Sequence, residues 1–215
     1  MPRPRSLTSA QIAAAALAVL DRDGPAGLTM RAVAQQLGMG TMSLYRYVDD
    51  RDELEGLVVE LVLGAVDPAP PEGGGWQERI TVMVERVRVA VGAHPAVVPL
   101  TMTHRHRSPA ILRWSETVVG ILAETVTDPG RRVVALRGLL SYLIGAIQLE
   151  HLGPLSGPGT GAIAALDPAA FPNMRQLGGA ARQVDADAEF HGGLDLLLEG
   201  ISVSGGRWPA RTRTG

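Results

Sequence analysis

The chain contains no cysteine. Disulfides, thiolate metal sites and a cysteine nucleophile are therefore excluded together. Lysine is also missing, so the 20 Lys+Arg residues are all arginine, a mark of GC-rich coding rather than of any chemistry. Aromatic residues make up only 4%, with three tyrosines, so a place where they gather stands out. No uninterrupted apolar run reaches the roughly 18 residues of a membrane span, and no membrane contact is expected. The opening MPRPRSLTSAQ is basic, but the IAAAALAVL that follows is broken by DRDG. It reads as an amphipathic helix, not as a signal-peptide core, and a cytoplasmic protein is expected. Net charge is only −2, so bulk charge cannot attract polyanions and any nucleic-acid binding must come from a local patch.

What is present is ample for a core: 215 residues, 46% hydrophobic, enough for one or two domains. The patterning is helical throughout, and no stretch reads as a strand. Thr8 or Ser9 can cap a first helix carrying Ile12, Ala16, Val19 and Leu20, which stops at Asp23-Gly24-Pro25. Thr29 caps a second helix with a stripe of Met30, Val33, Ala34 and Leu37, ended by Gly38. A third short helix runs from about Thr41 to Val48. Asp50 caps a fourth with Leu54, Leu57, Val58, Leu61, Val62 and Ala65 at helical spacing. A short helix, a glycine turn and another short helix form the helix-turn-helix pattern. Residues 67–75, DPAPPEGGG, read as a linker by composition. Beyond it, helices are expected from Trp76 to Ala93, as a short piece between Pro95 and Pro99, from Pro109 to Val126 and from Pro129 to Leu152. Gly153–Gly161 reads as a mobile loop, followed by helices near Met174–Arg182 and Asp185–Ile201 and a flexible tail at 203–215.

The tyrosines gather in residues 38–54, GMGTMSLYRYVDDRDEL, where Tyr45 and Tyr47 flank Arg46. A helix that reads the major groove carries small or polar side chains near its start and phosphate-holding groups around it. Thr41, Met42 and Ser43 suit base edges and thymine methyls. Tyr45 and Tyr47 can donate hydroxyl hydrogen bonds to phosphates, and Arg46 can reach the groove or the backbone. Arg51, Thr29 and Arg31 lie at helix N-termini, where an anion is already favoured. The bland alternative makes the tyrosines a core edge and Arg46 and Arg51 partners of Asp49, Asp50 and Asp52.

The run LTMRAVAQQLGMGTMSLYRYVDDRDELEGLV resembles the DNA-binding domain of the tetracycline-repressor (TetR) family of bacterial transcription regulators over about residues 8–65. The shared pattern is a Leu-Thr-led second helix, Ala-x-x-Leu-Gly, Leu-Tyr-x-Tyr, and a capped fourth helix with acidic residues before its leucines. The resemblance implies that Thr29, Thr41, Met42, Ser43, Tyr45, Tyr47 and Arg51 fall on DNA-contacting positions. Arg51 replaces the usual lysine, and Asp49 and Asp50 add negative charge beside that face; Arg3 and Arg5 could offset it as an arm. WQERITVMVERVRVAVGAHPAVVPL is similar to the tetracycline-repressor-like C-terminal half. The implied architecture is all-α: a three-helix DNA-binding domain at residues 1–66 and a ligand-binding and dimerisation domain at 76–202.

In the C-terminal half, Leu136, Leu139, Leu140, Leu143, Ile144 and Ile147 form one broad apolar face, and Phe190, Leu194, Leu197, Leu198 and Ile201 another. Both serve as core or as a two-fold four-helix interface; the resemblance favours a homodimer. An apolar pocket with a few polar groups is expected for a small molecule, lined by Met83, Met102, His104, Trp114, Leu143, Ile147, Gln148 and His151, each of which serves equally as core. His104, His106, Glu150 and His151 offer an alternative, a metal- or small-molecule-dependent enzyme. Arg105 and Arg107 oppose a cation there, however, and no third ligand has diagnostic spacing. A further alternative is a protein-interaction module that has lost DNA binding. No catalytic residue, metal or cofactor is expected; the reading is a ligand-released repressor that binds a near-palindromic operator.

Overall fold

The computed structural model describes residues 7–153, 155 and 157–203. All regular structure among them is helical: α1 (Ser9–Gly27), α2 (Met30–Gln36), α3 (Thr41–Leu44), α4 (Arg51–Gly64), α5 (Trp76–Gly92), α6 (Val98–His104), α7 (Pro109–Ala123), α8 (Pro129–Leu152), α9 (Pro158–Ala164), α10 (Pro172–Ala181) and α11 (Ala186–Val203). A single 3-10 turn, Pro95–Val97, precedes α6. Two compact units divide the chain, one reaching to Ile121 and one starting at Leu122. Arg3 and Arg5, and all but the first residue of the expected tail, lie outside the described residues.

In the first unit, α1 packs on α2 and α4, and α2 on α3. Ile12, Val19, Leu20, Leu28, Val33, Leu44, Leu54 and Val58 are fully buried there, each worth about 1.5–3 kcal/mol relative to exposure. The caps are those the sequence suggests. Thr8 accepts from Gln11 N–H and Asp50 from Glu53 N–H. The Glu53 carboxylate in turn accepts from Asp49 N–H at 2.7 Å. α1 breaks at Gly24, whose φ is 70°. α2 ends in a Schellman motif: Gly38 has φ 68°, its N–H reaches Gln35 O, and Met39 N–H reaches Ala34 O. α3 is shorter than its sequence suggests, because residues 45–47 tighten into a turn rather than continuing the helix.

Two expectations need correction, and a third gains detail. Residues 67–75 have no helix, yet their start is held: Arg86 Nη1 donates to Asp67 O (3.0 Å) and Ala69 O (2.6 Å), and Thr117 Oγ1 to Pro68 O (2.7 Å). Gly153–Gly161 is not wholly loop, since α9 begins at Pro158, where proline's missing N–H is harmless. The strict criterion of an unbroken apolar run also missed that α8, 24 residues with mean hydropathy 1.4 in its best window, is long and apolar enough by length and composition to cross a membrane. Arg137 and Glu150 interrupt the run without lowering the average below that mark.

In the second unit α8 packs on α11 and α9 on α10. Gly178 sits at the α9–α10 crossing, where a Cβ would lie 2.8 Å from Ala164 N. Of the two apolar faces read from sequence, Leu139, Leu143, Ile147, Phe190, Leu194 and Leu198 are buried in the single chain. The apolar side chains left exposed on these helices are others: Val133, Val134, Leu149 and Leu152 on α8, and Leu196 on α11.

Candidate nucleic-acid interface and effector region

The glycine turn at 37–40 delivers α3 with one side inward. Leu44 is fully buried, whereas Met42 is 80% exposed and Thr41 and Ser43 are half-buried. The turn after α3 bonds Tyr47 and Val48 N–H to Leu44 O. Val48 is thereby buried and Tyr45, Arg46 and Tyr47 stay exposed, the tyrosines at 44% and 40%. Thr29 accepts from Ala32 N–H at 3.1 Å, which leaves its hydroxyl proton able to point elsewhere. Arg31 is exposed in the first turn of α2.

Arg51, about half exposed, has two partners within the protein. Its Nε donates to Glu55 Oε1 at 2.7 Å and its Nη2 to Pro25 O at 2.9 Å. Asp50 is engaged as the cap of α4. Asp52 does form an ion pair, but with Arg107 at 2.8 Å rather than with Arg46 or Arg51. The Arg107 hydrogen bond holds the Asp52 carboxyl below its ordinary range, helped by the positive charge of Arg107 and, more weakly, of His104 and His106.

Among the residues proposed to line a pocket, Met83 and Trp114 are buried and meet, the indole Nε1 donating to Met83 O at 2.9 Å. Met102 is exposed. His104 is only 3% exposed, with Nε2 3.4 Å from Glu55 Oε2 on α4. In the second unit Leu143 and Ile147 are buried, whereas Gln148 and His151 are exposed. That unit holds a cavity of about 420 Å³ between α8 and α11, and none of the four lines it. Tyr142, Glu150, Glu189 and Phe190 do, beside Gly145 and Gly193. Tyr142 donates its hydroxyl to Phe190 O. Sequence reasoning missed this cavity because its lining residues come from two helices far apart in sequence, which only the packing of α8 on α11 brings together. His106 is exposed, and among the described residues no group of three or more His, Cys, Asp or Glu could hold a metal.

Other ties join positions far apart in sequence. His94 Nδ1 lies 2.8 Å from Asp21 Oδ2. Glu60 on α4 accepts from Ser108 Oγ (2.7 Å) and Ala110 N–H (3.2 Å) at the start of α7. Nothing in local pattern announces contacts across about fifty residues.

The family model for bacterial regulatory proteins of the tetR family matches residues 12–54, and that for the tetracyclin repressor-like C-terminal domain matches residues 67–204. The chain belongs to the TetR family. Among curated relatives, the HTH-type transcriptional repressor DrrR1 of Streptomyces coeruleorubidus is 32% identical over 151 residues, 69% of this chain and 55% of that protein. An HTH-type transcriptional regulator of Saccharopolyspora erythraea is 30% identical over 146 residues, 68% of this chain and 62% of that one. The matched region thus spans less than two thirds of either relative. Among solved structures, apo ActR of Streptomyces coelicolor superposes with a TM-score of 0.81 at 27% identity, covering 94% of this chain and 98% of ActR. The complex of ActR with (S)-DNPA gives 0.79 at 28%, covering 93% and 99%, and ActR has also been solved with actinorhodin. TetR-family regulators are not enzymes, which sets aside the catalytic reading of the C-terminal histidines.

Proposed function

We propose that this TetR-family protein is a cytoplasmic, homodimeric repressor that binds a near-palindromic operator and is released by a small molecule. The observation that carries the DNA reading is the outward side of α3. Thr41, Met42 and Ser43 are accessible beside two exposed tyrosines and Arg46, on a chain otherwise poor in aromatics. Thr41, Met42 and Ser43 read bases. Tyr45, Tyr47, Arg46, Arg31 and Thr29 hold phosphates and set register. Arg51 stands at the same edge. Residues 1–66 form the reading domain and 76–202 the effector and dimerisation domain, joined through residues 67–75.

The exposed Val133, Val134, Leu149 and Leu152 on α8 and Leu196 on α11 are available to a dimer face on these helices. A two-fold dimer places its recognition helices about 34–36 Å apart or at a multiple of that. The complexes of ActR with (S)-DNPA and actinorhodin favour an effector of small-molecule size here too. Such an effector acts only through different affinity for two states, and release of most operator requires several kcal/mol of difference. The test is selection from a random duplex pool with the purified protein. An enriched near-palindrome is expected; a folded dimer that enriches nothing would refute the reading.

A further inference from the structure

The network around Arg51 carries an inference that rests on the DNA-binding reading and goes beyond it. Arg51 opens α4, where the helix dipole disfavours a cation. It also precedes Glu55 by four residues, the weaker order for such an ion pair. Neither feature helps α4 as an isolated helix. What Arg51 gains is a tertiary contact with α1. Arg51 Nη2 reaches the Pro25 carbonyl in the last turn of α1, at the corner that leads to α2, while its Nε meets Glu55 Oε1. The second oxygen of the same carboxylate faces His104 Nε2 at 3.4 Å, at the end of α6. Glu55 is mostly buried, with a side chain 14% exposed, and His104 almost completely so. On α4 the next residue is Gly56; a Cβ there would lie 3.7 Å from His104 Nδ1, so the imidazole rests on helix backbone that carries no side chain. Asp52, one turn earlier, is tied to Arg107 just beyond α6.

We propose that Glu55 is a positioning residue for operator binding: one carboxylate fixes Arg51, and through it the α1–α2 corner, while receiving His104 from α6. Arg51 is then a brace rather than a phosphate ligand. The spacing between α4 and the corner that leads to Thr29 depends on whether α6 keeps His104 against Glu55. This differs in sign from simple electrostatics. An acidic side chain near DNA repels it, so deleting one ordinarily strengthens binding. A positioning carboxylate does the reverse.

The test uses the full chain and the duplex enriched by the selection described above, with affinity measured by anisotropy over a range of salt. E55A and R51A are each expected to weaken binding about tenfold, the scale of coupled neighbours. Their salt slopes stay within about 0.3 of wild type, and the double variant binds no worse than either single one. H104A weakens binding as well, and H104Q, whose amide nitrogen can still donate to Glu55, restores most of it. A merely structural role would not give that rescue together with non-additivity. Thermal melts are read alongside, and E55Q replaces E55A if the latter does not fold. Unchanged or tighter binding by the Glu55 variant overturns the proposal. So does a fall of about one unit in the R51A slope, which would make Arg51 a phosphate ligand. Failure of the wild type to enrich any duplex overturns the DNA reading itself and is distinguishable from both.

Discussion

Replacing Glu60 by alanine should destabilise the first unit by an amount that can be worked from its contacts. The carboxylate is the acceptor for two donors at the start of α7: Ser108 Oγ at 2.7 Å and Ala110 N–H at 3.2 Å. Ser108 is only 5% exposed, so water replaces the lost acceptor poorly. Hydrogen bonds to a charged acceptor contribute about 1.5–3 kcal/mol each when buried. Glu60 is half-buried, which puts each nearer the lower end. A negative charge at a helix N-terminus adds about 0.3–1 kcal/mol. The Arg113 pair at 3.5 Å joins side chains 58% and 37% exposed, and such pairs contribute close to nothing after screening. The expected loss is therefore about 3–4 kcal/mol. For a chain of this size that lowers Tm by about 6–16 °C, read by circular dichroism. Glu60→Gln keeps an acceptor oxygen and loses the charge, so it should cost about half as much. If Glu60→Ala melts within a degree or two of wild type, or if the glutamine variant is as damaged as the alanine one, the assignment of Glu60 as the anchor of α7 is wrong.

Four further outcomes are expected. Thr41→Ala and Ser43→Ala should change preference at particular base pairs when the selection is repeated; a uniform loss across sequences would contradict base reading. Tyr45→Phe and Tyr47→Phe should instead weaken binding evenly across operators, by about 1 kcal/mol for each lost hydroxyl, and no loss in either would remove the phosphate role. Gly178→Ala forces Ala164 backbone away from the α9–α10 crossing and should cost about 1–3 kcal/mol in chemical denaturation; a neutral result would show that the two helices part freely. Because Arg107 holds the Asp52 carboxyl below its ordinary range, their tie is fully formed above the carboxylate's unfolded titration range and is lost as pH falls through the lower, folded value. An NMR titration should show the Asp52 midpoint moving upward in Arg107→Ala, and an unmoved midpoint would exclude Arg107 as the cause.

Sequence alone determined the helices and their punctuation in the reading domain, because those signals are local. The Thr8, Thr29 and Asp50 caps, the breaks at Gly24 and Gly38 and the buried stripes are each set by residues within a turn or two of one another. It also singled out the stretch from Thr41 to Tyr47, whose composition suits neither core nor loop. Tertiary structure decided what happens to individual polar groups. Arg51 reads as an open cation until Pro25 and Glu55 are brought to it. His104 meets Glu55 only once α6 lies on α4. The proline- and glycine-rich stretch at 67–75 reads as loose until Arg86 and Thr117 bind its carbonyls. On α8 and α11, periodicity shows which residues are apolar but not which way the apolar side chains turn. The buried Leu139, Leu143 and Ile147 and the exposed Leu149, Leu152 and Leu196 are chemically alike. Only the packing of one helix on another distinguishes an interior side chain from an exposed one.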